Sequence, residues 1–181
     1  MSQDKNRALE LHKKYGTNER VVKHCETVTK VAEILVEALK ERGTQLDERA
    51  VVTAAMLHDL GRNKTQTVHH GFVGAQIVEE EGLDGAVSGI IRRHVGAGIS
   101  KEEAVQLGFP EGDYIPRTLE ERLVCFADKM VHGDRIRPFE QEVRRFAAKG
   151  HDVARLNKLK EGLEQVLGSD PEQIIFSKLR G

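Results

Sequence analysis

Six side chains along this sequence are of types that hold divalent cations: His24, the adjacent pair His58-Asp59, His70, His94 and Asp128. Imidazole suits Zn and Fe, and carboxylate suits Mg and Mn, so a mixed set fits a borderline ion such as Fe, Mn or Zn. Each residue stands at or near the end of an apolar stretch. The pair is the clearest case, because Val51-Val52-Thr53-Ala54-Ala55-Met56-Leu57 leads straight into it and Gly61 follows. An imidazole and a carboxylate rarely sit in such surroundings unless something satisfies them. One bound cation would satisfy both. Asp128 makes the same point: at the end of Leu123-Val124-Cys125-Phe126-Ala127 an unpaired carboxylate costs on the order of several kcal/mol. A carboxylate also bridges two ions, and Asp59, next to His58, is the natural bridge. Paired ions about 3.5–4 Å apart clamp the attacking and leaving oxygens of phosphoryl transfer. Plainer roles exist for some members. His24 fits a satisfied core histidine, and His94 fits a helix C-terminus, where a histidine is favourably placed.

The elements that must position these residues read as helices. Residues 3–15 form a short one, ended by Gly16. Thr17 or Asn18 then caps a long helix that Gly43 closes. Its apolar residues Val21, Cys25, Val28, Val31, Ala32 and Leu35 recur at helical spacing. His24 shares the inward row with Val28, Val31 and Leu35. Leu46 and Asp47 open a third helix that runs to His58-Asp59. A polar loop, 63–68, leads to a fourth that begins at His69-His70 and ends at Gly82. A fifth, about 84–94, finishes at Arg92-Arg93-His94. Residues 95–117 read as a long loop with a helical patch from Lys101 to Leu107, a candidate lid or pocket wall. Another helix covers 120–131, and others follow at 139–149, 152–167 and from Asp170-Pro171. His132, one turn beyond Asp128, reads as a solvated helix residue or a support for the site. His12 and His151 read as superficial. No strand alternation exceeds a few residues, so the fold class is all-α: a helical domain over 1–135 and a C-terminal helical extension, 136–181, packed on it.

Composition narrows the partners. The chain has 181 residues, 39% hydrophobic and 31% charged, enough for one modest core under a charged surface. With 28 basic and 29 acidic residues there is no excess for long nucleic acid, while a small anion needs only a local positive site. The absence of Trp and the scarcity of Tyr and Phe argue against a stacking platform for single strands. No stretch reaches the roughly 18 apolar residues of a membrane span. The first residues lack a signal peptide's apolar segment, and Cys25 and Cys125 read as buried thiols, so a cytoplasmic location is expected.

The order His, His-Asp, His, His, Asp resembles the HD-domain metal-dependent phosphohydrolase superfamily over roughly residues 18–135. Leu57-His58-Asp59-Leu60-Gly61 looks like its His-Asp turn. His70-Gly71-Phe72-Val73-Gly74-Ala75 looks like its His-x-x-x-Gly-Ala step, and Phe126-Ala127-Asp128-Lys129 like its closing Ala-Asp-Lys. The compact form is similar to bacterial diadenosine tetraphosphate hydrolases and to uncharacterised archaeal relatives, although 95–117 and the tail 134–181 match neither. The resemblance implies one ion on His24, His58, Asp59 and Asp128, and a second on His70 and His94 with Asp59 bridging. His69 stands as the rival to His70, and the chain carries one or two ions.

The resemblance further implies hydrolysis of a phosphate ester or anhydride of a nucleotide or related small molecule by metal-activated water. Asp59, Arg62 and Lys129 are the catalytic candidates, Lys129 through its motif alone. Arg20, Arg62, Lys64 and His69 are the candidates for substrate binding, and solvated-loop roles stand beside Arg62 and Lys64. Two other readings belong to the same fold: a di-iron oxygenase, and a non-catalytic ligand sensor. The expected partner is a small phosphorylated substrate, without membrane or long nucleic acid, and the C-terminal helices offer a surface for a homodimer.

Overall fold

The structure, a computed structural model, describes residues 2–180. Its α-helices are α1 (Ser2–Lys14), α2 (Glu19–Glu41), α3 (Glu48–Leu57), α4 (His70–Glu80), α5 (Gly85–Arg93), α6 (Lys101–Gln106), α7 (Leu119–Lys129), α8 (Phe139–Ala148), α9 (Ala154–Leu167) and α10 (Pro171–Arg180). A 3-10 turn, Leu60–Asn63, follows α3. Two strands of two residues, β1 (Val131–His132) and β2 (Arg135–Ile136), pair antiparallel between α7 and α8. The class is all-α, as the helical spacing predicts.

Polar caps set the helix starts. The Asn18 side chain accepts from the backbone N–H of Arg20 at 2.9 Å, and Asp47 does the same for Ala50 at 2.9 Å. Thr118 and Glu121 close a reciprocal capping box on α7. The apolar faces then meet in one core. Val28, Val31, Leu35 and Leu39 of α2 pack with Val51, Ala54 and Ala55 of α3, Ile91 of α5, and Leu123 and Phe126 of α7, all at 0% exposure. α9 turns Leu156, Leu159, Leu163 and Leu167 into the same core, and it packs on α7 while α10 packs on α2. Cys25 and Cys125 are buried free thiols.

Three local readings are corrected. α3 stops at Leu57, so His58 and Asp59 form the turn that leaves it rather than its last residues. α7 stops at Lys129, and His132 lies in β1 instead of on a helix. Gly133, at φ +63°, allows the tight reversal, and strands this short leave no alternation to read. His12 is buried, not superficial: its Nε2 pairs with the Met56 carbonyl at 2.7 Å. It shares a helix row with the buried Ala8, four residues earlier, and α1 lays that row on α3.

Gly61 and Gly74 show why the sequence is small between the two halves of the centre. A Cβ on Gly61 would stand 2.0 Å from the His70 carbonyl oxygen and 2.6 Å from the Gly74 nitrogen. The turn after Asp59 therefore lies directly on the first turn of α4. The 95–117 segment folds over its own small cluster of Ile99, Ala104, Phe109 and Tyr114. Paired backbone bonds between Ile99 and Tyr114, at 3.1 and 3.4 Å, close it.

Candidate metal centre

Four imidazoles from different elements are turned the same way by the backbone. His24 Nδ1 meets the Gly133 carbonyl at 2.7 Å, His58 Nδ1 the Ala55 carbonyl at 2.8 Å, His70 Nδ1 the Thr67 carbonyl at 2.7 Å and His94 Nδ1 the Ile91 carbonyl at 2.7 Å. A carbonyl only accepts, so each Nδ1 carries the proton, and in the neutral ring the Nε2 lone pair faces inward. The anchors for His58, His70 and His94 are three residues back, carbonyls at the edge of a local turn. Gly133 reaches His24 from the hairpin, 109 residues away.

The inward nitrogens surround two carboxylates. His70 Nε2 lies 3.1 Å from Asp59 Oδ1 and 3.1 Å from His94 Nε2, while His94 Nε2 lies 3.6 Å from the same Oδ1. The other oxygen of Asp59, Oδ2, is 3.9 Å from both His24 Nε2 and His58 Nε2. Asp128 Oδ1 completes that side, 3.0 Å from His24 Nε2 and 3.5 Å from His58 Nε2. Asp59 thus presents one oxygen to His70 and His94 and the other to His24 and His58. Three overlapping triads of donor atoms, each within 4.8 Å, result: His24, His58 and Asp59; His58, His94 and Asp128; Asp59, His70 and His94.

These residues fit a cation. His58 Nε2 and Asp59 Oδ1 are buried without a hydrogen-bond partner among the described residues. Lone pairs of His70, His94 and Asp59 face one another at close range. Left alone this is costly, and a divalent ion relieves it with the donors present. The electrostatics divide the imidazoles: burial lowers His58, but the charges of Cys25 and Asp59 raise it well above its ordinary value. Burial, helped by the charges of His58 and His70, brings His94 down to about 4, so it stays neutral. Burial pushes the Asp59 carboxyl up, but the charge of His58, with the His70 and His94 imidazoles close by, holds it well below the usual range. Asp128 is likewise held well below: burial opposes ionisation, and Lys129 with His24 and His58 outweighs it.

Basic groups surround these donors. Arg62 Nε donates to Asp59 Oδ2 at 2.6 Å. Lys129, itself buried, reaches round to hydrogen-bond Asp128 Oδ2 and lies 3.4 Å from the His94 carbonyl. A flexible four-carbon stem allows this although helix neighbours point apart. Above the centre opens a cavity of about 760 Å³. Arg20, in the first turn of α2, lines it, exposed and one turn before His24.

Not every expected site residue is gathered there. Lys64 is exposed in the 3-10 turn's C-cap, outside the cavity lining. His69 stacks on Phe109 with ring centroids 4.2 Å apart, and its Nδ1 faces the Thr67 hydroxyl at 3.1 Å. It supports the 95–117 segment, while His70 faces Asp59. Conversely, the cavity is walled by residues from the C-terminal extension that no motif marked: Glu142, Arg145, Phe146, Lys149, His151 and Arg155. His151 and His132 are exposed, yet both line the cavity. Nothing in the spacing of the extension's charged residues marks them as part of a site.

Residues 21–132 match the HD domain family, and the chain belongs to it. Two relatives, from Picrophilus torridus and Thermoplasma volcanium, are named tRNA (cytidine(56)-2′-O)-methyltransferase. They are 38% and 37% identical over 173 residues, or 94% of this chain. The chain spans about half the length of these curated relatives, 49% and 50%. An uncharacterized protein of Methanocaldococcus jannaschii is 42% identical over 129 residues, 71% of this chain and 76% of that protein. The HD domain of the L. monocytogenes phosphodiesterase PgpH shares the fold, with a TM-score of 0.59 over 92% of this chain and 95% of that one, at 13% identity. Among the described residues no helix is long and apolar enough to cross a membrane.

Proposed function

We propose that this chain is a metal-dependent phosphohydrolase acting on a phosphate ester or anhydride of a nucleotide or related small molecule. The observation that carries the reading is the division of Asp59, one oxygen toward His70 and His94 and the other toward His24 and His58. On this reading His24, His58, Asp59 and Asp128 hold one divalent ion, and His70 and His94 hold a second with Asp59 shared. Bound ions would supply Lewis acidity toward a phosphoryl oxygen and lower the pKa of a water. The chain's own groups do the rest. Arg62, fixed by one nitrogen on Asp59, has further N–H donors for a phosphoryl oxygen at the cavity floor. Lys129 neutralises Asp128 and so keeps the anionic ligands from repelling an anionic substrate. The buried floor excludes water and strengthens both effects.

Methyl transfer is not carried over from the names of the longer relatives. The chain matches only about half of each, and its site gathers metal donors and cations. The test is elemental mass spectrometry of protein purified without chelator, followed by a screen of nucleotides and phosphate esters with Mn, Fe and Zn. About two equivalents of metal with phosphate release is expected. Oxygen consumption without phosphate release would move the assignment to the oxygenase chemistry. Ligand binding by a metal-free, inactive protein would move it to a sensor.

A further inference from the structure

The cavity above the candidate metal centre is lined by charges of both signs, its carboxylates being Asp59, Glu103, Asp128, Glu142 and Asp152. Six Lys and Arg side chains line it: Arg20, Arg62, Lys129, Arg145, Lys149 and Arg155. Four are committed to carboxylates of the chain. Arg62 pairs with Asp59, Lys129 with Asp128, Arg145 with Glu142, and Arg155 with Glu103. Arg20 and Lys149 have no side-chain acceptor among the described residues. They also come from different parts of the fold: Arg20 opens α2, and Lys149 ends α8 in the C-terminal extension. Both are exposed and face the same cavity, which His132 and His151 also line.

Part of the remaining wall is apolar, beside the polar Gln66, Thr67 and Gln106. Val68, Val95, Ala97, Ile99 and Leu107 line it, and Val68 and Leu107 stay 38% and 44% exposed. An enclosure of about 760 Å³ is well above the size of a lone phosphate and lies within the usual range of small-molecule sites. Its lining therefore offers three kinds of contact: metal donors with Arg62, an apolar stretch, and the two uncommitted cations.

Resting on the phosphohydrolase reading, we propose that the substrate class is a nucleotide-like compound with two separate phosphate groups. One group lies on the metal floor. The flat apolar portion lies against Val95, Ile99 and Leu107. The second phosphate lies between Arg20 and Lys149. The C-terminal extension thus sets specificity, since Lys149 is its contribution to the site.

Binding separates this claim from the catalytic one. Calorimetry with Mn present would compare adenosine 5′-monophosphate with adenosine 3′,5′-bisphosphate. The bisphosphate should bind about tenfold tighter or more, as two charge-assisted contacts imply. The double variant Arg20→Ala/Lys149→Ala should bring that ratio close to one, mainly through loss of bisphosphate affinity. The charge-keeping Lys149→Arg should restore most of the ratio lost in Lys149→Ala. Both positions are exposed, so the variants should fold, which thermal melting checks. A 5′-phosphorylated dinucleotide asks whether a diester serves as the second group, and tighter binding of either two-phosphate ligand supports the proposal. Equal affinity for the monophosphate and both two-phosphate ligands, or a ratio that survives the double variant, overturns it. If the ratio behaves as stated but nothing is hydrolysed, the catalytic reading fails and the two-phosphate site stands. If phosphate is released with no such ratio, the reverse holds.

Discussion

His24 Nε2 stands 3.0 Å from Asp128 Oδ1, a contact between residues 104 positions apart. The first belongs to α2 and the second to α7, and both helices bury their apolar faces in the one core. The candidate metal centre is therefore closed by the packing of the whole domain. Positioning its ligands and folding its core are the same event.

Removing Asp128 should damage stability as well as metal binding. Its carboxylate partners the buried ammonium of Lys129. Asp128→Ala leaves that charge without its partner, and breaking a buried pair costs about 3–5 kcal/mol. The lower end applies here, because the Asp128 side chain is 14% exposed. Chelated protein carrying the substitution should melt well below chelated wild type. In metal-replete protein at least one equivalent should be lost. An unchanged melting point would show that Lys129 finds another acceptor.

Asp59→Ala makes the opposite separation. Asp59 Oδ1 is buried without a hydrogen-bond partner, so losing it relieves an unsatisfied group in the absence of metal. Arg62, whose Nε it accepts, is partly exposed and can turn to water. Helical content should stay near wild type by circular dichroism. Metal content should fall by at least one ion, and phosphate release should drop by roughly a thousandfold or more, as when a shared ligand of a two-metal site is lost. Full activity in this variant would sink the proposed mechanism.

The residues gathered in the candidate centre are legible in the sequence. His24, His58, His94 and Asp128 each interrupt an apolar run, and a buried polar residue at a helix end asks for a partner. Helical periodicity likewise gave the elements, since the core stripes are long. Three things were hidden. The carbonyl that orients His24 belongs to Gly133, in a hairpin too short for strand periodicity. The choice between His69 and His70 depended on Phe109, which stacks on His69 from a segment with no regular pattern. The cavity's outer wall comes from α8 and α9, whose charged residues read equally well as an ordinary solvated face.

Gly61→Ala should destabilise the fold through backbone crowding alone. The added Cβ would stand 2.0 Å from the His70 carbonyl and 2.6 Å from the Gly74 nitrogen, both backbone atoms that cannot swing aside. The turn would have to move away from α4, carrying Asp59 away from His70. Overpacking of this kind costs about 1–3 kcal/mol. The expected result is a lower melting temperature together with weaker metal retention, even though no ligand has changed. Gly16→Ala is the contrast, since nothing lies within 4 Å of that position. Its penalty comes only from the left-handed backbone at φ +65°, about 1 kcal/mol, with metal content unaffected.

Acid should loosen the wall formed by residues 95–117 before it unfolds the domain. Arg155 ties that segment down, donating to the Gly98 carbonyl at 2.9 Å and to Glu103 Oε2 at 2.7 Å. The hydrogen bond from Arg155 holds the Glu103 carboxyl below its ordinary 4.5, against the opposing effect of burial. A carboxyl whose folded pKa lies below its unfolded value stabilises fully above the unfolded value. That contribution disappears as pH falls through the lower, folded value. The pair is partly exposed, at 30% and 41%, so solvent screening limits it to about 0.2–1 kcal/mol. That suffices to shift a local opening equilibrium a few-fold without melting the core. Hydrogen exchange of amides 95–117 should therefore accelerate, after correction for intrinsic rates, between about pH 5 and pH 3. Core amides of α2 and α7 should hold their protection over the same range. Arg155→Ala should produce the faster loop exchange already at neutral pH and weaken its acid dependence, the remainder belonging to Asp113, held low by Arg117, and to Glu102, held low by Ser100. If the loop amides of wild type and Arg155→Ala titrate alike, another group holds the wall.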